Sequence, residues 1–186
     1  CDDDFVIIDQ FDPSKAITIL EGDPTIGVVG GSLLDDKGNM RHYEWDLKIE
    51  GKTIYKLSPS SPEQEVSGVK YRLVDLTLNF WIARREIFDE ITWDDKLTVS
   101  TEHMDFFMIL KWKSKWKVAY CQSLVAGHYR VHDADKKYWR LRYRKSHWLH
   151  FAKKWKIEEV DEFGEKLNYI TEAHKWDDYE KTHPEE

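Results

Sequence analysis

The chain has 186 residues, of which 41% are hydrophobic and 14% aromatic, and its formal net charge at pH 7 is −7. This apolar content excludes an intrinsically disordered chain and suffices for one folded domain with a substantial core. The negative charge argues against general affinity for nucleic acid, and no apolar run in the sequence approaches the length of a membrane-spanning helix.

The first eight residues, CDDDFVII, predict the end of a buried strand that runs into a loop. Within them, Asp2 and Asp4 flank Asp3 in a DxD spacing. Consecutive carboxylates repel one another unless a cation lies among them, and hard divalent cations take one or two carboxylates together with substrate phosphates. The stretch therefore predicts a Mg²⁺ or Mn²⁺ site, and a solvated acidic segment is the alternative interpretation.

The front part of the chain alternates helix and strand signals. Asp12 can cap a helix that begins at Pro13, and Gly22 can end it. The other elements that we expect here are a buried strand over 25–34 with a break at Gly30-Gly31, a turn over 36–39, strands over 40–50 and 53–57, a loop over 58–68, a strand over 71–83 and a short helix over 84–90.

A helix over about 102–113 is expected next, capped by Ser100 or Thr101. Its apolar residues share one side, Glu102 and His103 lie over that side one turn earlier, and Asp105 borders it. Such a helix buries its body while its first turn directs polar groups inward, which suits a catalytic group. The alternative is that the acids only favour the positive N-terminal end of the helix. The apolar residues on that side are Phe106, Phe107, Ile109 and Leu110.

The last third of the chain predicts strands over 116–121 and 123–130, with His128 directly after Gly127. A basic, aromatic helix over 136–156 and a more acidic helix over about 158–176 follow. We therefore expect a core of residues 1–135 and a helical extension, 136–186, packed on it. Two cysteines form no disulfide framework, which is typical of a reducing compartment.

Six short stretches of the sequence are weak motifs when taken singly, but their order and spacing together are more specific. Together they resemble nucleotide-sugar glycosyltransferases of the GT-A type, and the resemblance covers roughly residues 1–130. Within that type, the chain is similar to the inverting superfamily that includes bacterial family-two enzymes, near the ganglioside N-acetylgalactosaminyltransferases. The GHYR stretch is similar to the GHxFR of polypeptide N-acetylgalactosaminyltransferases. The stretches are DDDF at 2–5, VVGG at 28–31, NFWIARREIF at 79–88, WDDKL at 93–97, TEHMDFF at 101–107 and AGHYR at 126–130.

The resemblance implies an α/β fold with a mixed sheet flanked by helices. It also implies transfer of a sugar from a nucleotide donor, UDP-linked, to a hydroxyl acceptor such as a glycan, with inversion. In such enzymes Asp2 and Asp4 would hold Mn²⁺ or Mg²⁺ on the donor diphosphate, and His128 would complete the metal site. The donor would also lie against Asp3 and Arg130.

The resemblance leaves the catalytic base open. Many inverting members carry an acidic pair where this chain has Glu102-His103-Met104-Asp105. Because His103 replaces the second acid, the base is Glu102, Asp105 or His103. Two tryptophans near these stretches, Trp81 and Trp93, would either stack on a sugar or pack in the core.

The family fold carries a nucleotide-binding half before the DxD acids, and nothing in this sequence corresponds to it. Two expectations follow: the chain is part of a longer polypeptide, or those elements come from elsewhere. In a complete chain, nucleotide binding and catalysis would both be in doubt. Two other functions remain open: a metal-dependent phosphoesterase, since acids with a histidine also suit that chemistry, and a non-catalytic carbohydrate-binding or interaction domain of degenerate transferase fold.

Overall fold

The computed structural model describes residues 5–77, 80–97, 101–128 and 145–169. It is a mixed α/β protein with two mixed β-sheets. The chain forms two compact units, the first from residues 1–46, 58–92 and 106–132 and the second from 47–57, 93–105 and 133–186. The expected boundary between a core of residues 1–135 and a C-terminal extension stays a prediction. In the structure, residues 47–57 and 93–105 group with the C-terminal region.

Twelve strands and four helices are present in the described residues. In chain order they are β1 (Phe5–Val6), α1 (Pro13–Gly22), β2 (Ile26–Asp35), β3 (Met40–Arg41), β4 (Glu44–Glu50), β5 (Thr53–Leu57), β6 (Glu63–Val66), β7 (Val69–Val74), β8 (Leu76–Thr77), β9 (Trp81–Ala83), α2 (Ile87–Glu90), α3 (Glu102–Lys113), β10 (Lys117–His128), α4 (Lys145–Trp155), β11 (Glu159–Glu162) and β12 (Glu165–Asn168).

The first unit is built on a sheet with the strand order β3-β2-β10-β7-β6, to which β1 adds beside β10 and β9 beside β2. The two central strands, β2 and β10, are parallel, so their carboxyl ends lie at the same edge of the sheet, with Asp35 opposite His128. The two strands expected over 116–130 are one strand, β10, whose register is irregular between Cys121 and Val125. Open α/β sheets bind ligands at the carboxyl ends of their strands.

Glycines let other chain segments approach β2 closely. The expected break at Gly30-Gly31 is absent, and β2 runs without interruption from Ile26 to Asp35. A Cβ atom on Gly30 would lie 2.2 Å from the hydroxyl oxygen of Thr77, and one on Gly31 would lie 2.1 Å from the carbonyl oxygen of Leu124. The two glycines therefore leave space for neighbours and do not end the strand.

Helix α1 has the limits that its sequence predicts. The Asp12 side chain accepts a hydrogen bond from the backbone N–H of Ser14, and Pro13 is the first helical residue. Such a cap satisfies one of the N–H groups left without a partner at a helix start. At the other end, the Arg84 guanidinium donates to the carbonyl of Leu20. The helix buries Ala16, Ile19 and Leu20.

Three expectations for the first unit are wrong. Strand β1 has two residues, and its Val6 is exposed, so the described part is not a buried strand. The loop expected over 58–68 contains β6, which pairs with β7 around a two-residue turn at Ser67-Gly68. Both turn residues have positive φ, 49° and 80°, as tight hairpin turns require. The strand expected over 71–83 is divided among β7, β8 and β9.

The second unit contains α4 and a smaller set of strands, in which β5 pairs in parallel with β11 and β11 pairs antiparallel with β12. Helix α4 confirms the expected basic helix over 145–155, and residues 136–144 lie outside the described part. The acidic helix expected over about 158–176 is wrong for 159–168, which form the β11–β12 hairpin, and 170–176 lie outside the described part. The hairpin's turn residues Phe163 and Gly164 have φ of 53° and 92°. Glycine at that position favours the turn over a helix.

Candidate active site

The expected metal site is described only in part. Asp2, Asp3, Asp4 and Arg130 lie outside the described residues, whereas His128 is the last residue of β10. In the antiparallel pairing of β1 with β10, Phe5 is the partner of His128, and their rings lie 5.2 Å apart. Phe5 directly follows Asp4 in the sequence. The chain therefore enters the sheet beside His128 immediately after the acidic run.

The carboxylate of Asp35 lies at the same edge of the sheet as His128. Its oxygens form hydrogen bonds within the turn that follows β2. It accepts hydrogen bonds from the backbone N–H groups of Lys37 and Asn39 and pairs with Arg41 at 3.2 Å. The bond from the Asn39 N–H contributes most to lowering the pKa of Asp35 to about 2. Asp35 therefore stabilises the turn after β2.

The start of α3 brings Glu102 and His103 into direct contact. The Oε1 atom of Glu102 lies 2.9 Å from Nδ1 of His103, and the two side chains are 17% and 26% exposed. The other oxygen, Oε2 of Glu102, is buried and has no hydrogen-bond partner among the described residues. Burying a carboxylate oxygen without a hydrogen-bond partner costs free energy. A functional role for Glu102 would explain why the fold accepts this cost.

Thr101, directly before this pair, has a strained backbone. Its φ is 63°, a left-handed conformation that β-branched residues rarely adopt. The carbonyl of Thr101 accepts from the N–H of Asp105 at 2.8 Å, but its hydroxyl is buried and makes no hydrogen bond in the described part. The expected cap by this hydroxyl is therefore absent, and Ser100 lies outside the described residues. Strain of this kind concentrates at functional sites.

Asp105, the third candidate base, is held by two donors from α4. Its side chain is 2% exposed. Oδ2 accepts from Nζ of Lys154 at 2.7 Å, and Oδ1 accepts from Nε1 of Trp155 at 2.6 Å. With both oxygens engaged, Asp105 anchors the first turn of α3. No local pattern in the sequence points to Lys154 or Trp155, which lie about fifty residues further along.

Lys154 also binds Asp94, in the loop before α3. Asp94 Oδ2 accepts from Lys154 at 2.8 Å and lies 2.9 Å from Nε2 of His150. The hydrogen bond from Lys154 contributes most to lowering the pKa of Asp94, and His150 adds to it. Burial lowers the pKa of Lys154, but its bonds to Asp105 and Asp94 outweigh this and raise it. The segment before α3 is thus held by charged contacts with α4.

The two tryptophans differ in their surroundings. Trp81 stacks almost parallel on Phe106, with 5.5 Å between ring centroids and 4° between planes, which fits core packing. Trp93 is 40% exposed, and the centroids of its ring and the His103 ring lie 5.4 Å apart, with 74° between the ring planes. Of the two, Trp93 is therefore the one that adjoins a candidate catalytic residue.

Within the described ranges, no group of three or more His, Cys, Asp and Glu side chains could hold a metal ion. Two of the three expected ligands, Asp2 and Asp4, lie outside those ranges. Comparison with known proteins assigns no family: no protein-family model and no curated protein matches this chain. None of the described helices is long and apolar enough to cross a membrane.

Proposed function

We propose that this chain is the catalytic region of a metal-dependent glycosyltransferase, which moves a sugar from a UDP-linked donor to a hydroxyl of a glycan or another acceptor, with inversion. The observation that carries the proposal is the start of α3. A strained Thr101 precedes a Glu102–His103 pair, and two buried oxygens there have no partner in the described part. Glycosyl transfer needs a proton acceptor for the attacking hydroxyl.

The Glu102–His103 pair suits this role better than Asp105. Asp105 already accepts hydrogen bonds at both oxygens, so proton acceptance there would disrupt the anchor of α3. In the pair, Glu102 accepts at one oxygen and orients His103, and its other oxygen has no hydrogen-bond partner among the described residues. When a carboxylate and an imidazole are in contact, one of them can accept the proton while the other holds it in a fixed orientation.

On the donor side, the pairing of Phe5 with His128 supports a metal set of Asp2, Asp4 and His128. Two carboxylates and an imidazole suit Mn²⁺, and carboxylates with phosphate oxygens suit Mg²⁺. A metal bound there would supply Lewis-acid stabilisation of the departing diphosphate. The GT-A form of the fold belongs to this proposal, which the parallel β2–β10 pair in a mixed sheet supports.

The test is UDP-sugar turnover with Mn²⁺ by the protein that carries this chain, before and after chelation. We expect transfer to fall at least about a hundredfold in Glu102→Gln, because general-base catalysis contributes that much or more. Asp4→Asn and His128→Ala should weaken the dependence on Mn²⁺. Glu86→Gln, which changes an exposed carboxylate, is the matched control.

Several results would oppose the proposal. Undiminished transfer by Glu102→Gln would remove the base assignment, and a product with retained anomeric configuration would exclude a single displacement. Hydrolysis of a phosphodiester without sugar transfer would favour the phosphoesterase. Glycan binding that persists in chelator, without affinity for UDP, would favour a non-catalytic domain.

A further inference from the structure

A cleft of about 520 Å³ opens in the first unit beside the first residues of β10. Its walls come from the start of β4, the segment before β6, the end of β7 and the connection from α3 to β10. Because β10 runs from Lys117 to His128, the cleft and His128 lie at opposite ends of the same strand. Sites for small molecules have volumes of about 300–1,000 Å³ and combine apolar walls with a few polar groups. The cleft has the size of such a site.

Two tryptophans line the cleft. Trp112, in the last turn of α3, is 39% exposed, and Trp116 directly precedes β10. The Nε1 atom of Trp116 is buried and has no hydrogen-bond partner among the described residues, which costs free energy that an acceptor oxygen would remove. An indole ring combines a large apolar face with one polar donor. A sugar has the matching surfaces, since its C–H groups form an apolar face and its hydroxyl oxygens accept hydrogen bonds.

Asp46 provides an oriented acceptor in the wall of the cleft. Its Oδ2 atom accepts two hydrogen bonds from Ser60, one from the backbone N–H at 2.8 Å and one from the hydroxyl at 2.6 Å. Its Oδ1 atom accepts from no group in the part of the chain that the structure describes. A carboxylate accepts at both oxygens, and its hydrogen bonds are stronger than those of neutral acceptors. Asp46 is thus held by one oxygen and offers the other to a ligand hydroxyl.

The charges around the cleft favour a neutral ligand. Three lysines line it, and each forms an ion pair with a carboxylate. An anion would compete with these carboxylates and would be repelled by Asp46. A neutral ligand with hydroxyl groups meets neither cost, which favours a saccharide over phosphate, nucleic acid or an acidic membrane surface. The ion pairs are Lys111 with Asp75, Lys115 with Glu90 at 3.4 Å and Lys117 with Asp23 at 3.9 Å.

We propose that the cleft binds a neutral oligosaccharide. One sugar ring lies with its apolar face against Trp112, and a hydroxyl of the same saccharide donates to Oδ1 of Asp46. This site goes beyond the proposed function, because it needs neither a metal ion nor UDP and lies at the other end of β10 from His128. It holds the protein on a glycan independently of sugar transfer.

Two substitutions test the two contacts separately. Trp112→Leu removes the ring, and Asp46→Asn keeps an oxygen for Ser60 but replaces the accepting oxygen by an amide that donates. The matched controls are Phe163→Leu, at an aromatic residue of the second unit that is 63% exposed, and Asp95→Asn, at an exposed carboxylate. Because the substitutions are independent, either one tests the cleft if the other lowers the midpoint of thermal unfolding.

The experiment is isothermal titration calorimetry of the protein that carries this chain, with EDTA and without UDP. The neutral probes are maltotriose, cellotriose, chitotriose and lactose, and the anionic probes are inorganic phosphate and vesicles that contain phosphatidylserine. We expect at least one neutral probe to bind. Its Kd should rise about tenfold in Trp112→Leu and about three- to tenfold in Asp46→Asn, the effect of one hydrogen bond, with both controls unchanged.

Three results would overturn the proposal: no binding of any neutral probe, binding of the anionic probes alone, or wild-type affinity for the neutral probe in both cleft variants. UDP-sugar turnover, measured on the same preparations, keeps this test apart from that of the proposed function. Cleft variants that lose the oligosaccharide, in a protein whose wild type shows no turnover, refute the transferase and leave the cleft. Turnover by a wild type that binds no neutral probe refutes the cleft and leaves the transferase.

Discussion

At the scale of single residues, Thr101 is the position where side-chain preference and backbone conformation conflict most clearly. A β-branched residue with a φ of 63° stores on the order of 1–2 kcal/mol of strain. Its buried hydroxyl adds the cost of an oxygen without a partner in the described part. The neighbouring Glu102 carries a similar oxygen. Two energetic costs of this kind at adjacent residues support a functional role for the start of α3.

We predict that Thr101→Asn raises the free energy of unfolding by about 1 kcal/mol, because asparagine adopts left-handed backbone more readily than threonine. Urea denaturation measures the change. Thr101→Val is the matched control: it keeps the branched Cβ and removes only the hydroxyl, so it should not gain the stability that relief of strain gives. Equal stability of the two variants would show that backbone strain is not the cause.

At the scale of elements, the second unit contains an anchor between α4 and the first turn of α3. Lys154 is shared by Asp94 and Asp105, and Trp155 fills the remaining acceptor site of Asp105. Removing one partner of a buried ion pair leaves the other charge uncompensated. The start of α3 should therefore be sensitive to changes in a helix some fifty residues away.

We predict that Asp105→Asn lowers the free energy of unfolding by about 3 kcal/mol. The new amide keeps an oxygen for Trp155 but offers Lys154 no charge. Asp95→Asn, at an exposed position of the preceding loop, should change stability by less than about 0.5 kcal/mol. Chemical denaturation of both variants gives the comparison. A loss no larger in Asp105→Asn than in the control would mean that Lys154 finds compensation elsewhere.

The elements that the sequence predicts well are those with local signals at both ends. Pro13 after Asp12 marks the start of α1 and Gly22 its last residue, and the limits of α3 also agree. The sequence does not predict the two hairpins, although Ser67-Gly68 is a dipeptide that favours tight turns and Gly164 can adopt the positive φ that its turn has. The composition of residues 58–68 is typical of a loop, and that of 158–176 indicates an acidic helix. Each of these patterns outweighs a turn signal of only two residues.

The contacts of the candidate site are less predictable than its residues. Glu102 and His103 follow from their place at a helix start. The partners of Asp105 are 49 and 50 residues away. Spacing along the chain carries no information about such pairs, because they depend on how strands and helices pack. The sequence therefore favours Asp105 as a base as readily as Glu102.

At the scale of the whole molecule, both compact units contain carboxylates whose pKa values are lowered. Asp35 belongs to the first unit and is held by backbone N–H groups and Arg41. Asp94 belongs to the second and is held by Lys154 and His150. A carboxylate with a lower pKa in the folded than in the unfolded state makes stability rise with pH. The protein should thus be more stable at neutral pH than in acid.

We predict that Asp94→Asn flattens this acid dependence. The unfolded-state pKa of an aspartate is about 4, and the folded-state pKa of Asp94 lies below it. Its contribution is therefore complete above about pH 4 and is lost as the pH falls through the folded-state pKa. The variant should have a lower free energy of unfolding than wild type at neutral pH. Below about pH 4, its free energy of unfolding should change less steeply with pH.

The control variant, Asp95→Asn, should keep the wild-type slope. Urea denaturation across this pH range distinguishes them, and equal slopes for Asp94→Asn and wild type would exclude Asp94 as a source of acid sensitivity.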